Sequence, residues 1–305
     1  MEKIQINFLG TGQAIPTETR NHMGIFLSYK NEHLLIDCGE GIQRQFRMAK
    51  VNPCKITRLL ITHWHGDHVL GIPGLLQTLA LNNYQKTLHI VGPKGTKRFM
   101  EELTKIFVPV NKLKMHVEEV MGKFFENQDF FLQATSLHHS VPVNGYAFVE
   151  KDKLKIKKQL LQKKLKTIKI GKNDLPKIEN LKAGKDITLQ GKSFKAKELT
   201  YKEAGRKVSF IFDTGVGPNT IHLAKDSTLA IIESTYGEEE LEQALEHKHL
   251  TAGQAADIAK KAKVKELMLT HISQRYEFKE KMLLTQAKKI FSNTKIAHDL
   301  LSVEL

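Results

Sequence analysis

Cysteine is scarce: Cys38 and Cys54 are the only two in 305 residues, so at most one disulfide can form and no cysteine framework holds the fold. Neither lies in a CxxC pair, and both read as inert thiols. Long apolar runs are missing too. The longest uncharged stretch, Val69 to Gln85, is broken by Gly71, Pro73 and Gly74, and nothing approaches the roughly 20 residues of a membrane-spanning helix. The first nine residues alternate apolar and polar positions (Ile4, Ile6, Phe8) and read as a strand rather than a signal peptide. These absences predict a soluble, cytoplasmic protein with no membrane partner. What is present is an ordinary globular balance, 41% hydrophobic and 26% charged, which allows a sizeable core.

Acidic side chains are the other shortage, and it is local. The chain has 47 Lys and Arg against 33 Asp and Glu, a net charge of +14. Residues 151–207 hold 19 basic and 6 acidic side chains, a net of +13, and the other 248 residues hold 28 and 27. A nearly neutral body with one basic segment implies a polyanionic partner, because clustered lysines gain affinity by releasing counterions from phosphates. The stretch from Lys151 to about Leu199 opens helix-like and is then punctuated by Gly171, Pro176 and Gly184. With only Phe194 and the nearby Tyr201 as aromatics, it is expected to have little with which to build a core.

Elsewhere the pattern alternates short strands with helices. Strands are predicted at Ile4–Phe8, Gly24–Tyr29, Leu34–Asp37, Arg58–Thr62, Phe130–Ser136, Gly145–Val149, Val208–Asp213, Leu229–Glu233 and Leu267–Thr270, with a last strand region at Lys295–Val303. Helices are predicted at Gly41–Ala49, Gly74–Ala80, Thr96–Phe107 and Lys281–Phe291. Thr251-Ala252-Gly253-Gln254 resembles a capping box opening a further helix that runs to about Ala262. Gly10-Thr11-Gly12 reads as a tight turn. Without a repeat of solenoid period, this is a layered α/β protein.

The chemistry concentrates in Leu60-Ile61-Thr62-His63-Trp64-His65-Gly66-Asp67-His68. A short apolar run delivers two imidazoles, Gly66 permits a turn, and a carboxylate and a third imidazole follow. These donors suit zinc, and one ion cannot comfortably take all four from so tight a loop. Two ions about 3.5–4 Å apart can, an arrangement suited to in-line phosphoryl chemistry. Further ligands must come from distant strand ends, where the candidates are His138 or His139, Asp213 and His271.

HxHxDH is the motif of the metallo-β-lactamase fold. The surrounding stretches resemble the short ribonuclease Z (tRNase Z) family in particular: Asn7-Phe8-Leu9-Gly10-Thr11-Gly12, Pro16-Thr17-Glu18-Thr19-Arg20-Asn21, Ile36-Asp37-Cys38-Gly39-Glu40-Gly41, Gly71-Ile72-Pro73-Gly74-Leu75-Leu76, Val91-Gly92-Pro93, Leu269-Thr270-His271-Ile272-Ser273 and Arg275-Tyr276. The resemblance runs almost from end to end. It implies an α/β fold, the metallo-β-lactamase four-layer αβ/βα sandwich, as a single domain over residues 1–305 with a protruding basic arm inserted at residues 151–199.

By the same resemblance, His63, His65 and His139 would hold one Zn²⁺, Asp67, His68 and His271 a second, and Asp213 would bridge the two. Asp37 would orient a ligand imidazole. Asp67 would also accept the proton of the attacking water, and His249, supported by Glu233 in Glu233-Ser234-Thr235, would protonate the leaving 3′ oxygen. His247 is the competing histidine and reads as a solvated helix residue. Precursor tRNA is the implied substrate, contacted by Arg20, Asn21, Ser273 and Arg275 and by the arm residues Lys157, Lys158, Lys163, Lys164 and Lys166. A homodimer is implied as well.

Three departures from the family pattern stand out. The arm tip reads Leu175-Pro176, the stretch Ile211-Phe212-Asp213-Thr214-Gly215 lacks the family's arginine, and Glu18 replaces a lysine. They bear on how a tRNA 3′ end is read rather than on the chemistry. A small-molecule hydrolase of the same fold would share every ligand but has no use for an arm of this charge. A catalytically idle RNA-binding relative has no use for the complete ligand set.

Overall fold

Strict alternation of Ile4, Ile6 and Phe8 produces the strand Ile4–Gly10, whose apolar side chains are fully buried while Gln5 and Asn7 remain partly exposed. The computed structural model describes residues 2–106, 113–166, 171 and 174–305. In them the chain divides into two compact units, one of residues 1–125, 132–148 and 207–305, the other of residues 126–131 and 149–206.

The first unit is built on two seven-stranded sheets. One is ordered Ser302–Glu304, Ile4–Gly10, Gly24–Tyr29, Glu32–Ile36, Arg58–Leu60, Thr87–Gly92, Lys114–Glu119. It is antiparallel up to Glu32–Ile36 and parallel beyond it. The other is ordered Thr294–Ile296, Glu266–Thr270, Leu229–Glu233, Lys207–Ile211, Asn144–Glu150, Phe130–Ser136, Gly122–Glu126, and its first four strands are parallel. Leu229–Glu233 is buried along its whole length, as expected for a parallel strand covered on both faces.

Helices Ile42–Met48, Ile72–Leu81 and Thr96–Ile106 pack on the first sheet through one cluster that includes Phe26, Leu35, Phe46, Leu75 and Ile90. Pro218–Ala224, Ala252–Lys261 and Lys281–Ile290 pack on the second. The sheets face each other: the Tyr146 hydroxyl donates to Ile61 O at 2.7 Å, and the Phe148 ring meets the edge of Tyr29 at 5.2 Å. The result is the αβ/βα layering of the metallo-β-lactamase fold. Parallel strands of both sheets end on the same side, and the chemistry collects in the loops that leave their carboxyl ends.

Thr251 caps its helix as expected, with both reciprocal bonds of the capping box formed to Gln254. The last predicted strand region, Lys295–Val303, is two strands in different sheets, Thr294–Ile296 and Ser302–Glu304. The chain turns between them because Leu300 adopts φ 64° and the Asp299 carboxylate is tied to Thr11, Asn21 and Gln45. The predicted strand Arg58–Thr62 stops at Leu60, so His63 and His65 leave a loop rather than a strand. Phe107, the predicted end of the Thr96 helix, lies outside the described residues.

The second unit corrects the expectation of a segment without a core. Leu161, Leu165, Ile178, Leu181, Ile187, Leu189, Phe194 and Leu199 bury against one another, and Leu181 and Leu199 are completely inaccessible. Aliphatic side chains spaced along Lys158–Leu165, Leu175–Glu179 and the hairpin Ile187–Leu189/Lys192–Phe194 do what aromatics were expected to do. The strands Lys153–Ile156 and Thr200–Glu203 pair antiparallel, and Glu150 and Arg206 close the unit with a 2.8 Å side-chain bond. Lys157, Lys158, Lys163, Lys164 and Lys166 are all exposed.

Candidate metal centre

Seven side chains from four separated stretches converge. His63 and His65 come from the loop after Arg58–Leu60, and Asp67 and His68 from the single helical turn Gly66–Val69. His139 follows Phe130–Ser136, Asp213 follows Lys207–Ile211, and His271 follows Glu266–Thr270. His63, His65, His139 and Asp213 place donor atoms within 4.8 Å of one another, and so do Asp67, His68, Asp213 and His271. Asp213 belongs to both groups. Its Oδ2 lies 3.5 Å from His63 Nε2 and 3.9 Å from His139 Nε2, and its Oδ1 lies 3.2 Å from both His68 Nε2 and His271 Nε2. His138, the alternative to His139, is exposed and outside both groups.

This arrangement fits divalent cations and little else. Asp213 Oδ1 is buried and receives no hydrogen bond of acceptable geometry, a costly state for a carboxylate oxygen. Ring nitrogens point at ring nitrogens: His63 Nε2 is 3.0 Å from His65 Nδ1, and His68 Nε2 is 3.3 Å from His271 Nε2. Burial lowers the pKa of His63, His65 and His139 and so favours the neutral imidazole that a metal requires. Burial opposes charge on His68 as well, but Asp213, Asp67 and Asp37 outweigh it and raise its pKa. Three carboxylates around one buried imidazole leave a negative surplus that divalent cations would balance.

The surroundings hold these groups in place. Asp37 Oδ2 receives His68 Nδ1–H at 2.7 Å and Thr62 Oγ1–H at 2.8 Å, while Oδ1 receives the Thr62 amide at 2.7 Å. The Ala14 amide donates to Asp67 Oδ2 at 3.0 Å. Burial pushes the Asp67 carboxyl up, but His68 and His271 hold it well below the usual carboxylate range. Asp37, Asp213 and His271 all have φ between 40° and 58°, local strain of the kind retained at functional sites. Gly39 is required by close approach, because a Cβ there would overlap the Asp67 carbonyl oxygen.

Beside the clusters lies a buried pair. His249 Nδ1 faces the Glu233 carboxylate at 3.0 and 3.1 Å, and Thr235 Oγ1 donates to Glu233 Oε2 at 2.7 Å. Burial lowers the His249 pKa, but Glu233 outweighs it and the imidazole is pushed up to about 9. The free Nε2 lies 4.0 Å from Asp213 Oδ2. A cleft of about 590 Å³ opens over the site, lined by His65, Asp67, His139, Tyr236, His247 and His249 among others.

A family model described as anti-Pycsar protein Apyc1 matches residues 4–128. The chain is 36% identical to ribonuclease Z of Methanothermobacter thermautotrophicus over 304 residues, covering 99% of this chain and 97% of the relative. It is 37% identical to ribonuclease Z of Bacillus cereus, covering 97% of each. The chain belongs to the ribonuclease Z family. Among solved structures, human tRNase Z, short form, superposes with a TM-score of 0.70 at 26% identity over 98% of both chains. The metallo-β-lactamase fold protein YhfI from Bacillus subtilis superposes equally well at 18% identity. As a ribonuclease Z family chain with these His and Asp clusters, the protein binds divalent metal.

Within this ribonuclease Z chain, three residues expected to meet substrate have other partners. Arg20 is only 4% exposed, and its guanidinium donates to Thr11 Oγ1, Ala297 O and Glu280. Ser273 is buried, and the Asn21 amide donates to the His22 and Glu40 carbonyls. The TETRN segment thus braces the loop that carries Ala14 to Asp67. Arg275 does stand near the cleft, paired with Glu240 and 5.1 Å above the Tyr236 ring. Sequence reading missed Ala14 and Tyr236. A backbone amide leaves no trace in residue identity, and Tyr236 takes meaning only from what the fold puts beside it.

Proposed function

We propose that this protein is a zinc-dependent endoribonuclease that removes the 3′ trailer from precursor tRNA, leaving a 3′-hydroxyl on the tRNA and a 5′-phosphate on the trailer. The observation that carries the reading is Asp213, one carboxylate shared by two His/Asp clusters at the floor of an open cleft in a ribonuclease Z chain. His63, His65 and His139 would hold one zinc ion and Asp67, His68 and His271 a second, with Asp213 available to both. Bound zinc lowers the pKa of water toward about 7 and offsets the charge that develops on phosphoryl oxygens.

The chain's own groups do the rest. Asp67, kept ionised by His68 and His271 and oriented by the Ala14 amide, accepts the proton of the attacking water. His249 gives its Nδ1–H to Glu233, so Nε2–H is the proton available for the leaving 3′ oxygen. Its raised pKa keeps it charged at neutral pH, as a general acid requires. The exposed lysines of residues 151–199 grip the tRNA body, and in a homodimer the arm of one subunit serves the site of the other. Incubating the protein with a 3′-extended precursor tRNA and mapping both product ends tests the reading. Uncut substrate, or cleavage outside the 3′ trailer, overturns it.

A further inference from the structure

The wall of the cleft carries an aromatic feature that proton transfer and metal binding do not use. The helix Leu241–His247 ends because Lys248 adopts φ 56°, and this turn sends His247 and His249 to the same cleft. His249 is buried against Glu233. His247 is exposed, and its ring nitrogens have no hydrogen-bond partner among the described residues. Its ring lies nearly parallel to that of Tyr236, with 17° between the planes and 6.5 Å between centroids. Tyr236 is only 6% exposed, so of the two rings it is His247 that presents an open face to the cleft. Tyr236 is fixed from elsewhere: the Arg275 guanidinium lies 5.1 Å from its centroid, and Glu240 holds Arg275. One rigid ring and one exposed ring thus stand in near-parallel planes beside Asp213 and His249.

We propose that His247, backed by the buried Tyr236 ring, is a stacking platform for one nucleobase of the RNA, that of the nucleotide bearing the leaving 3′ oxygen. The inference rests on the proposed RNA cleavage and on His249 as proton donor. If His249 Nε2 protonates the 3′ oxygen, the nucleotide carrying that oxygen lies on the His249 side of the scissile phosphate. His247, two residues away on the same cleft wall, is the flat surface that its base meets. Stacking accepts any base because each has a π-face. The platform therefore positions the last retained nucleotide without specifying its identity, a suitable device where mature tRNAs differ in that base.

The test uses the full-length zinc-loaded protein and a 3′-extended precursor tRNA. His247→Ala is expected to raise KM about 5- to 150-fold, the range of one lost base stack. kcat on the precursor should change little, and hydrolysis of bis(p-nitrophenyl) phosphate should be unchanged, which also verifies an intact fold. His247→Phe should restore KM. A precursor with an abasic site at the last retained nucleotide should lose affinity with the native protein and lose no more with His247→Ala, whereas an abasic site at the first trailer nucleotide should cost both proteins equally. An unchanged KM for His247→Ala, or a collapse of kcat that His247→Phe does not rescue, overturns the stacking role of His247. If the native protein leaves the precursor uncut, the proposed function falls instead.

Discussion

Asp37 Oδ2 receives the Nδ1–H of His68 at 2.7 Å, and both side chains are fully buried. The bond fixes the tautomer of His68 and turns its Nε2 toward Asp213 and His271. Replacing Asp37 by Ala is therefore expected to weaken zinc binding about 10- to 100-fold, the usual effect of losing a carboxylate behind a ligand imidazole. Competition against a chromophoric chelator measures it. Affinity equal to the native value would mean that packing alone orients His68.

Elemental analysis after dialysis against buffered zinc should give two ions per chain. Chelation should lower the melting temperature, because the carboxylates and the unsatisfied Asp213 Oδ1 are then left without a counter-charge. At free zinc of 100 times the dissociation constant, the linkage stabilises the fold by about 2.7 kcal/mol per site. A saturating stoichiometry of one would sink the dinuclear assignment.

Asp67→Ala should abolish turnover while precursor tRNA affinity stays near native, since the basic segment is untouched. His249→Ala should slow cleavage roughly 10²- to 10⁴-fold, the typical cost of a lost general acid. Glu233→Gln should slow it as well, because the carboxylate that holds His249 protonated is gone. Single-turnover rates at saturating enzyme decide the matter. A native rate for His249→Ala removes it from the donor role.

Residues 152–204 can be replaced by a short Gly/Ser linker without cutting the Glu150–Arg206 pairing. All seven proposed ligands lie outside that span. Hydrolysis of a small diester should survive, precursor tRNA binding should weaken strongly, and its salt dependence should flatten because fewer phosphates are neutralised. An unchanged affinity and salt slope would show that the segment is not the RNA-binding element and would favour a small-molecule hydrolase.

Leu181→Ala probes the small core of that segment from inside. The side chain is fully buried among Leu161, Ile178 and Leu199, and truncation there should cost about 2–5 kcal/mol. Limited proteolysis should then cut within residues 149–206 while the zinc site stays loaded. Digestion at the native rate would mean that the segment's order does not depend on its leucines.

The His/Asp clusters were legible in the sequence because donor chemistry is written in residue type and close spacing: His63, His65, Asp67 and His68 lie within six positions, and only a few residue types suit zinc. Charge was legible for a similar reason, since it adds along the chain whatever the fold. The strands Gly24–Tyr29, Phe130–Ser136 and Leu229–Glu233 fell where the apolar pattern put them. What depends on separation in space was not legible. The Arg20 guanidinium meets the Ala297 carbonyl and Glu280, partners some 260 to 277 positions away that its own segment does not reveal. Residues 151–199 carry a single aromatic, Phe194, and leucines and isoleucines from several short elements supply most of the core instead. The Ala14 amide on Asp67 and the near-parallel rings of His247 and Tyr236 involve partners 53 and 11 positions apart. Such pairs are made by loops that the two sheets bring to one edge, and only the tertiary structure decides them.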